Sequence, residues 1–349
     1  YIGGELLRKL LNTLFVTTPD AYLSLDGNNA VLLQDNEVKF RIPVNNLEGV
    51  ICFNYLGASP KFMQYCTDRN INISFISPHG RYMAGINGKI KGNVLLRKKQ
   101  YFMSENEEFC LNISKNIIAA KLYNCRYEIN RSIRDNRDKI DVSAMEKTSF
   151  ELLCAIKSIK GCRSMAQLRG LEGDAARQYF STFNDMILQQ KADFVFSGRS
   201  KRPPLDKVNA LLSFGYSLLA HDVEAALLSV GLDPYVGFMH TDRPGRISLA
   251  LDIMEELRAV MVDRFVITLI NLKQIKAKDF IQKESEGILM SDEARKIFLT
   301  EWHKRKQEDI LHDFLGEKIK TGLIPYAQAL ILSRYLRAEL NDYVPYFKR

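Results

Sequence analysis

No two cysteines stand two residues apart. The six present (Cys52, Cys66, Cys110, Cys125, Cys154 and Cys162) are scattered through the 349-residue chain. Zinc centres need short ligand spacings, so zinc-finger and zinc-ribbon modules are excluded. Most of these cysteines lie among apolar residues and read as small core hydrophobes in a reducing compartment. A Walker A loop, G-x-G-x-x-G and G-x-S-x-G are also missing, which removes the P-loop, dinucleotide-binding and serine-hydrolase classes. Apolar runs such as Val208 to Leu219 contain polar residues or stop short of the ~20 residues of a spanning helix. No secretory apolar region with a small-residue cleavage site opens the chain. Internal repeats and low-complexity tracts are lacking too. The expectation is a cytoplasmic protein with no membrane partner.

What the sequence does have is positive charge: 49 Lys and Arg against 41 Asp and Glu, a net of +8. Such a balance favours a polyanionic partner, because each phosphate neutralised releases condensed counterions. The apolar fraction of 46 % is ordinary for a globular core, and the length suits about two domains.

The pattern changes period along the chain. Up to about Gly92 short β-rich runs alternate with turns. The runs are Thr13–Thr17, Tyr22–Leu25, Ala30–Leu33, Val38–Val44, Leu47–Phe53, Ile71–Ile76 and Tyr82–Ile86, and the last two are split by the turn Ser77-Pro78-His79-Gly80. Ser59 followed by Pro60 marks one short helix, to Arg69, with Ser59 as N-cap. From about Arg97 the spacing is helical, with helices expected at 112–134, 144–159, 164–190, 205–230, 248–268, 292–315 and 324–340. Phe196 to Pro204, with its Gly, Ser and two prolines, is a loop. The fold class expected is α+β: a small sandwich-like β domain over residues 1–96, followed by a larger all-α domain over 97–349.

Three segments of the helical part could carry chemistry. Glu172 lies near a helix start with Arg169 and Arg177 around it. A carboxylate there can hold a metal while arginines meet phosphate, or it can simply favour the helix dipole. His240 sits in a Gly- and Pro-punctuated loop, either as a ligand or as a packed histidine. Asp252, Glu255 and Glu256 share one helix face beside an apolar stripe of Leu249, Ile253, Leu257 and Val260, which places Asp252 and Glu255 near the edge of the buried side. Like charges at that spacing cost ~0.2–0.5 kcal/mol per pair unless a cation lies between them. Carboxylates plus one imidazole make a mainly hard donor set, suited to Mn²⁺ or Mg²⁺. Such an ion can assist in-line displacement at a phosphodiester without a covalent protein nucleophile.

These motifs also carry a likeness. In order and spacing, Gly80–Gly85 with Leu96–Tyr101, Leu171-Glu172-Gly173, Asn209–Tyr216 and the stretch from Gly237 through His240 to Arg258 resemble the CRISPR-associated spacer-integration endonucleases over essentially the whole chain. Thr17–Ser24 looks like the branch found in type I-C systems. The resemblance implies that the α domain is catalytic and carries a Glu–His–acid metal site. By motif these are Glu172, His240 and, of the two acids three apart, Glu255, with Asp252 supporting it or ligating in a second arrangement. It further implies a homodimer, a small ferredoxin-like companion protein, double-stranded DNA (prespacer and CRISPR repeat) as substrate, and an iron–sulfur nuclease that trims the prespacer. Joining would follow attack of a prespacer 3′-hydroxyl on the repeat. Arg199, Lys201, Arg202, Arg243 and Arg246 are candidates for phosphate contacts, though each is equally readable as a solvated charge. Tyr216 either positions DNA or packs, and Tyr22 is a candidate brace for the duplex end. Two rival readings remain: a metal-dependent nuclease or branched-DNA resolvase that uses water, and a non-catalytic, dimeric DNA-binding scaffold.

Overall fold

A computed structural model describes residues 13–349 apart from 17, 19, 48, 53–55, 77–81, 87–93 and 283–286. The turn expected at Ser77–Gly80, and parts of the Thr17–Ser24 and Gly80–Gly85 segments, lie outside the described residues. The chain divides into two compact units, one built on residues up to Gly92 and the other on those from Asn93. Leu299–Ile310 and Lys318–Leu323 are grouped with the first.

The first unit holds β1 (Thr13–Val16), β2 (Tyr22–Asp26), β3 (Asn29–Gln34), β4 (Glu37–Pro43), β5 (Gly49–Cys52), α1 (Pro60–Asp68), β6 (Asn72–Ile76) and β7 (Tyr82–Ile86). β2, β3 and β4 form an antiparallel meander, while β1-β5-β6-β7 is a mixed sheet in which β5 runs parallel to both β1 and β6. Parallel neighbours need a crossover, and between β5 and β6 α1 supplies it. Ser59 caps α1 by accepting from the Phe62 amide at 3.2 Å, and Pro60 opens it. One apolar core joins the two sheets to the helix, with Leu23 and Ala30 from the meander, Val50 and Ile73 from the mixed sheet, and Phe62 and Cys66 from α1. Burial pushes the thiols of Cys52 and Cys66 up to about 12, so both stay uncharged packing groups.

The second unit is mainly helical. Its helices begin with α2 (Val94–Ser104), α3 (Glu107–Asn136), α4 (Val142–Ser158), α5 (Met165–Ser181), α6 (Phe183–Met186), α7 (Lys207–Ser229), α8 (Ser248–Arg258) and α9 (Arg264–Asn271). Further along the chain come the strands β8 (Phe280–Gln282) and β9 (Ile288–Met290), α10 (Asp292–Lys306), β10 (Asp309–His312), β11 (Glu317–Lys320) and α11 (Ile324–Leu336); the second half of α10 and parts of β10 and β11 are among the residues grouped with the first unit. The starts follow capping chemistry: Asn106, Asp141, Ser164 and Asp206 each accept a hydrogen bond from an amide three residues on. Ile247 gives α8 no such cap. The Pro234 carbonyl accepts from the Leu249 amide at 2.9 Å, which ties the helix start to the preceding loop.

Three expectations are corrected here. The part read as all-α contains two short hairpins, β8–β9 and β10–β11. The helix expected over 292–315 ends at Lys306, because Gly316 at φ +65° turns the chain and pairs 309–312 with 317–320. The segment expected as one helix over 164–190 breaks at Thr182, whose hydroxyl bonds back to the Tyr179 carbonyl at 2.7 Å. One helix, Lys207–Leu228, is long and apolar enough to cross a membrane by length and composition, but 67 % of that window is buried inside the protein. It serves as core, packing against α8 and α11.

Candidate active site

Helix α8 carries its three acids inward. Asp252, Glu255 and Glu256 are all buried, so the expected placement of Asp252 and Glu255 at the edge of the apolar face is wrong, and a solvated acidic face is excluded. Each acid has its own partners. Asp252 is fully enclosed and accepts from four donors. Its Oδ2 takes the amides of Phe238 (2.7 Å) and Met239 (3.0 Å), and its Oδ1 takes the His240 amide (2.9 Å) and His240 Nδ1 (2.6 Å). The loop Gly237–His240 is thereby folded around one carboxylate. With Nδ1–H donating to Asp252, the imidazole keeps its lone pair on Nε2. The close approach depends on Gly237: a Cβ there would lie 2.8 Å from Asp252 Oδ2 and 2.9 Å from Ser248 Cβ.

Glu172, on α5, and Glu255 meet on a residue that the sequence did not single out. The Lys121 ammonium, projecting from α3, hydrogen-bonds Glu172 Oε1 and contacts Glu255 Oε2 at 2.7 Å. The second contact is an ion pair outside hydrogen-bond geometry, and it leaves Glu255 Oε2 buried with no hydrogen-bond donor. Arg258, one turn on, holds Glu255 Oε1 at 2.9 Å. Burial alone would raise the Glu255 carboxyl, but Arg258 and Lys121 together bring it down to about 2, so it is ionised at neutral pH. Arg169 donates to the Met239 carbonyl, tying α5 to the loop that presents His240. Among the described residues no three of His, Cys, Asp and Glu are grouped as a ready metal centre. What is present is two carboxylates converging on one cation.

A cavity of about 730 Å³ opens beside these groups, lined by Lys121, Glu172, Arg199, Lys201, Tyr216 and Arg258, with Tyr179 and Phe180 among its aromatic walls. A π-turn, Ala259–Asp263, joins α8 to α9 and contributes Asp263 to the cavity wall. Such turns often mark functional sites, since they re-aim side chains. This one points Asp263 inward, where Tyr216 and Tyr179 donate to its two oxygens at 2.5 and 3.1 Å. Burial raises the Asp263 carboxyl to about 6, against the opposing pull of those hydroxyls and of Arg258. Tyr216 lines the cavity with its hydroxyl engaged and its ring beneath Arg199 and Arg258 at 5.2 and 5.0 Å.

The basic candidates separate in space. Arg199 turns inward and braces its own loop, donating to Asn209 Oδ1 at 2.6 Å and Ser213 Oγ at 3.1 Å. Lys201 lines the cavity. Arg202 and Arg243 are exposed, and Arg246 is half-buried. Tyr22 lies in the first unit on β2, half-buried. Asn209 is the hub that shapes the loop: besides Arg199 it accepts the Ser200 amide at 3.0 Å and donates to the Gly198 carbonyl at 2.7 Å.

Behind α8, Glu256 faces away from Glu255 into a closed network. Its Oε1 accepts from Gln328 on α11 (2.7 Å) and from the Tyr343 hydroxyl (2.8 Å), and the Gln328 oxygen meets His312 Nε2 at 3.1 Å. Asn124 on α3 donates to the carbonyls of Glu256 (2.7 Å) and Tyr346 (2.9 Å) and accepts the Lys348 amide (2.8 Å). The segment 343–348 is thus pinned against the back of α8. Burial pushes the Glu256 carboxyl up to about 8 despite its hydrogen-bond donors.

Comparison with known proteins gives a consistent result. Residues 14–304 match the family model described as CRISPR associated protein Cas1. The chain is 42 % identical to a CRISPR-associated endonuclease Cas1 of Chlorobaculum tepidum, over 98 % of this chain and all of the relative. It is 44 % identical to one of Rhodospirillum rubrum, over 98 % of this chain and 99 % of that one. At 32 % it also matches 60 % of a CRISPR-associated exonuclease Cas4/endonuclease Cas1 fusion of Geobacter sulfurreducens, over 96 % of this chain. Among solved structures, a casposase bound to integration product superposes with TM-score 0.83 at 22 % identity, covering 97 % of this chain and 95 % of that one. A CAS1 protein from Thermotoga maritima does so with TM-score 0.80 at 22 %, covering 97 % and 100 %. A chain of a Cas6-RT-Cas1–Cas2 complex matches with TM-score 0.80 at 25 %, over 99 % of this chain and 37 % of its own length.

Proposed function

The chain belongs to the CRISPR-associated Cas1 family, the endonuclease and integrase family of CRISPR adaptation, and from that premise we propose that it is a metal-dependent DNA integrase. In this reading it joins prespacer 3′-hydroxyl ends into the CRISPR repeat by transesterification. The observation that carries the reading is the meeting of Glu172 and Glu255, from separate helices, on one cation. Beside them a histidine is fixed through Nδ1 so that Nε2 is its ligating atom. Two carboxylates and an imidazole, with one buried carboxylate oxygen lacking a donor, fit a hard divalent ion. Glu172, Glu255 and His240 would hold Mn²⁺ or Mg²⁺. Asp252, whose oxygens are saturated by four donors, would orient His240 and would not itself bind the ion.

When bound, the ion stabilises charge growing on the phosphodiester and makes a hydroxyl a better nucleophile. The protein's own groups do the rest. Arg258 keeps Glu255 ionised, and Lys201 and Arg199 give the cavity wall positive charge for the phosphate. Joining then forms one O3′–P bond as the repeat's own P–O3′ bond breaks. The protein supplies no covalent intermediate. Arg202, Arg243 and Arg246 would extend the phosphate track, Tyr22 would brace the duplex end, and residues 97–349 would form the catalytic domain. The proposed assembly is a cytoplasmic homodimer with a small ferredoxin-like companion. Support for the companion comes from the relative in a complex with Cas2, and the exonuclease Cas4 fusion relative supports a nuclease partner, which the family resemblance implies is the iron–sulfur nuclease that trims the prespacer. The Thr17–Ser24 segment is the ground for placing it in the type I-C branch.

The test incubates the protein, with and without its companion, with a free-3′-end prespacer, a supercoiled repeat-bearing plasmid and Mn²⁺. Joined products should appear, and should vanish for His240→Ala and for prespacer with blocked 3′ ends. Cleavage without joining would instead make the chain a nuclease, and neither activity would make it a scaffold.

A further inference from the structure

The residue between the two carboxylates suggests how the site is built. Lys121 projects from the middle of α3, well away in sequence from Glu172 and Glu255, yet its ammonium reaches both. The three groups differ in how firmly they are held. His240 is locked by Asp252, and Glu255 Oε1 is fixed by Arg258. Glu255 Oε2, by contrast, has only the off-axis ion contact with Lys121. Lys121 borders the 730 Å³ cavity, so its side chain has space to move into. A lysine is also the side chain suited to such movement, a point charge on a flexible four-carbon chain.

Charge requires a resident cation here. Glu172 and Glu255 bring two carboxylates to one place, and Arg258 forms its ion pair with Glu255. Glu255 is buried with 4 % of its side chain exposed, and leaving a buried carboxylate without a counter-charge is costly. A divalent ion ligated by the same oxygens cannot share the place with an ammonium, because the two like charges would lie within bonding distance of the same atoms.

We propose that Lys121 is a displaceable internal counter-ion. Its ammonium holds Glu172 and Glu255 together, and a divalent cation binding there expels it into the adjoining cavity, where it faces the substrate phosphate. Lys121 is then a positioning residue whose place depends on the ion. The inference rests on the metal-site reading above.

The experiment titrates the full-length, chelator-treated protein with Mn²⁺ alone by calorimetry, using wild type, Lys121→Met and His240→Ala. With the competing charge removed, Lys121→Met should bind Mn²⁺ about tenfold more tightly, whereas a lysine of purely structural importance would leave affinity equal or weaker. In parallel, amine acylation of Lys121 in the wild-type protein, followed by mass spectrometry, should quicken about tenfold when Mn²⁺ saturates the site. The labelling arm needs no variant, so it decides the question even if Lys121→Met does not fold. Slower or unchanged labelling on saturation, or unchanged or weaker Mn²⁺ affinity in a folded Lys121→Met protein, overturns the proposal. If wild type and His240→Ala bind Mn²⁺ alike or not at all, the metal-site reading itself fails; if only His240→Ala loses it, that reading stands whatever Lys121 does.

Discussion

Replacing Asp252 with asparagine tests how much of the site's order one carboxylate supplies. Its two oxygens accept two donors each: the Phe238 and Met239 amides on Oδ2, and the His240 amide and ring Nδ1 on Oδ1. Asparagine keeps one oxygen and turns the other into an NH₂. Whichever way the amide is seated, two buried donors face another donor. Leaving a buried donor unmade costs ~1–3 kcal/mol each, so Asp252→Asn should lose ~2–6 kcal/mol of stability. That is a large part of the ~5–15 kcal/mol typical of a whole domain. Urea denaturation followed by circular dichroism reads the loss directly. Mn²⁺ affinity should drop in the same variant by ~10–100-fold, since His240 is no longer oriented. A variant whose stability lies within about 1 kcal/mol of wild type would refute the account of Asp252 as the hub of the His240 loop.

Gly237→Ala attacks the same hub sterically. Its Cβ would sit 2.8 Å from Asp252 Oδ2 and 3.0 Å from the Ser248 backbone, so a loss of ~1–3 kcal/mol is expected, and a neutral result in thermal denaturation would count against that contact. Glu256 makes stability depend on pH. Its folded-state value of about 8 lies above the unfolded one, so its favourable contribution is complete below about pH 4.5 and is lost as pH rises through 8. Glu256→Gln should flatten the stability–pH curve between pH 5 and 8 by up to ~1.4 kcal/mol per unit, measured by urea titrations at each pH; an unchanged slope would exclude a buried neutral Glu256. Asn209→Ala removes the hub of the 198–206 loop, and the amide protection of Ser200 should fall about tenfold or more in hydrogen exchange while the global unfolding transition moves less. Equal protection would show that Arg199 and Asp206 hold the loop without it.

Much of this molecule could be read from its sequence where local chemistry decides the outcome. Ser59-Pro60 announces α1, the strands up to Ile86 follow their turn residues, and the helix holding Asp252 and Glu255 starts where expected, at Ser248. The hairpin at 309–320 could not be read in this way. Ile310, Leu311, Phe314 and Leu315 suit helical spacing as well as strand alternation, and only the left-handed Gly316 separates the two. The π-turn was invisible for a similar reason, since a single wide turn shifts the phase of the apolar stripe and leaves its helical spacing intact on either side. In the candidate site, Glu172, His240 and Glu255 were picked out together only by the family resemblance, since each alone was as readable as a helix-start acid, a packed histidine or a solvated acid. Lys121 was not, because a lysine in a long basic-faced helix is the commonest of surface residues, and its burial comes from α5 and α8 closing over it. Asp252 was legible as an acid, but its four donors are backbone and ring groups that a sequence pattern does not display.

The anchoring of residues 343–348 behind α8 bears on how the protein is made. Asn124, Gln328 and Tyr343 clamp the reverse side of the helix whose other side presents Asp252 and Glu255. The clamp closes only when the 340s are present to be gripped. A nascent chain that has already exposed Glu172, His240 and Glu255 to the cell would therefore still lack a seated helix. Until residues 343–348 follow, the helix that carries Asp252 and Glu255 has no clamp behind it.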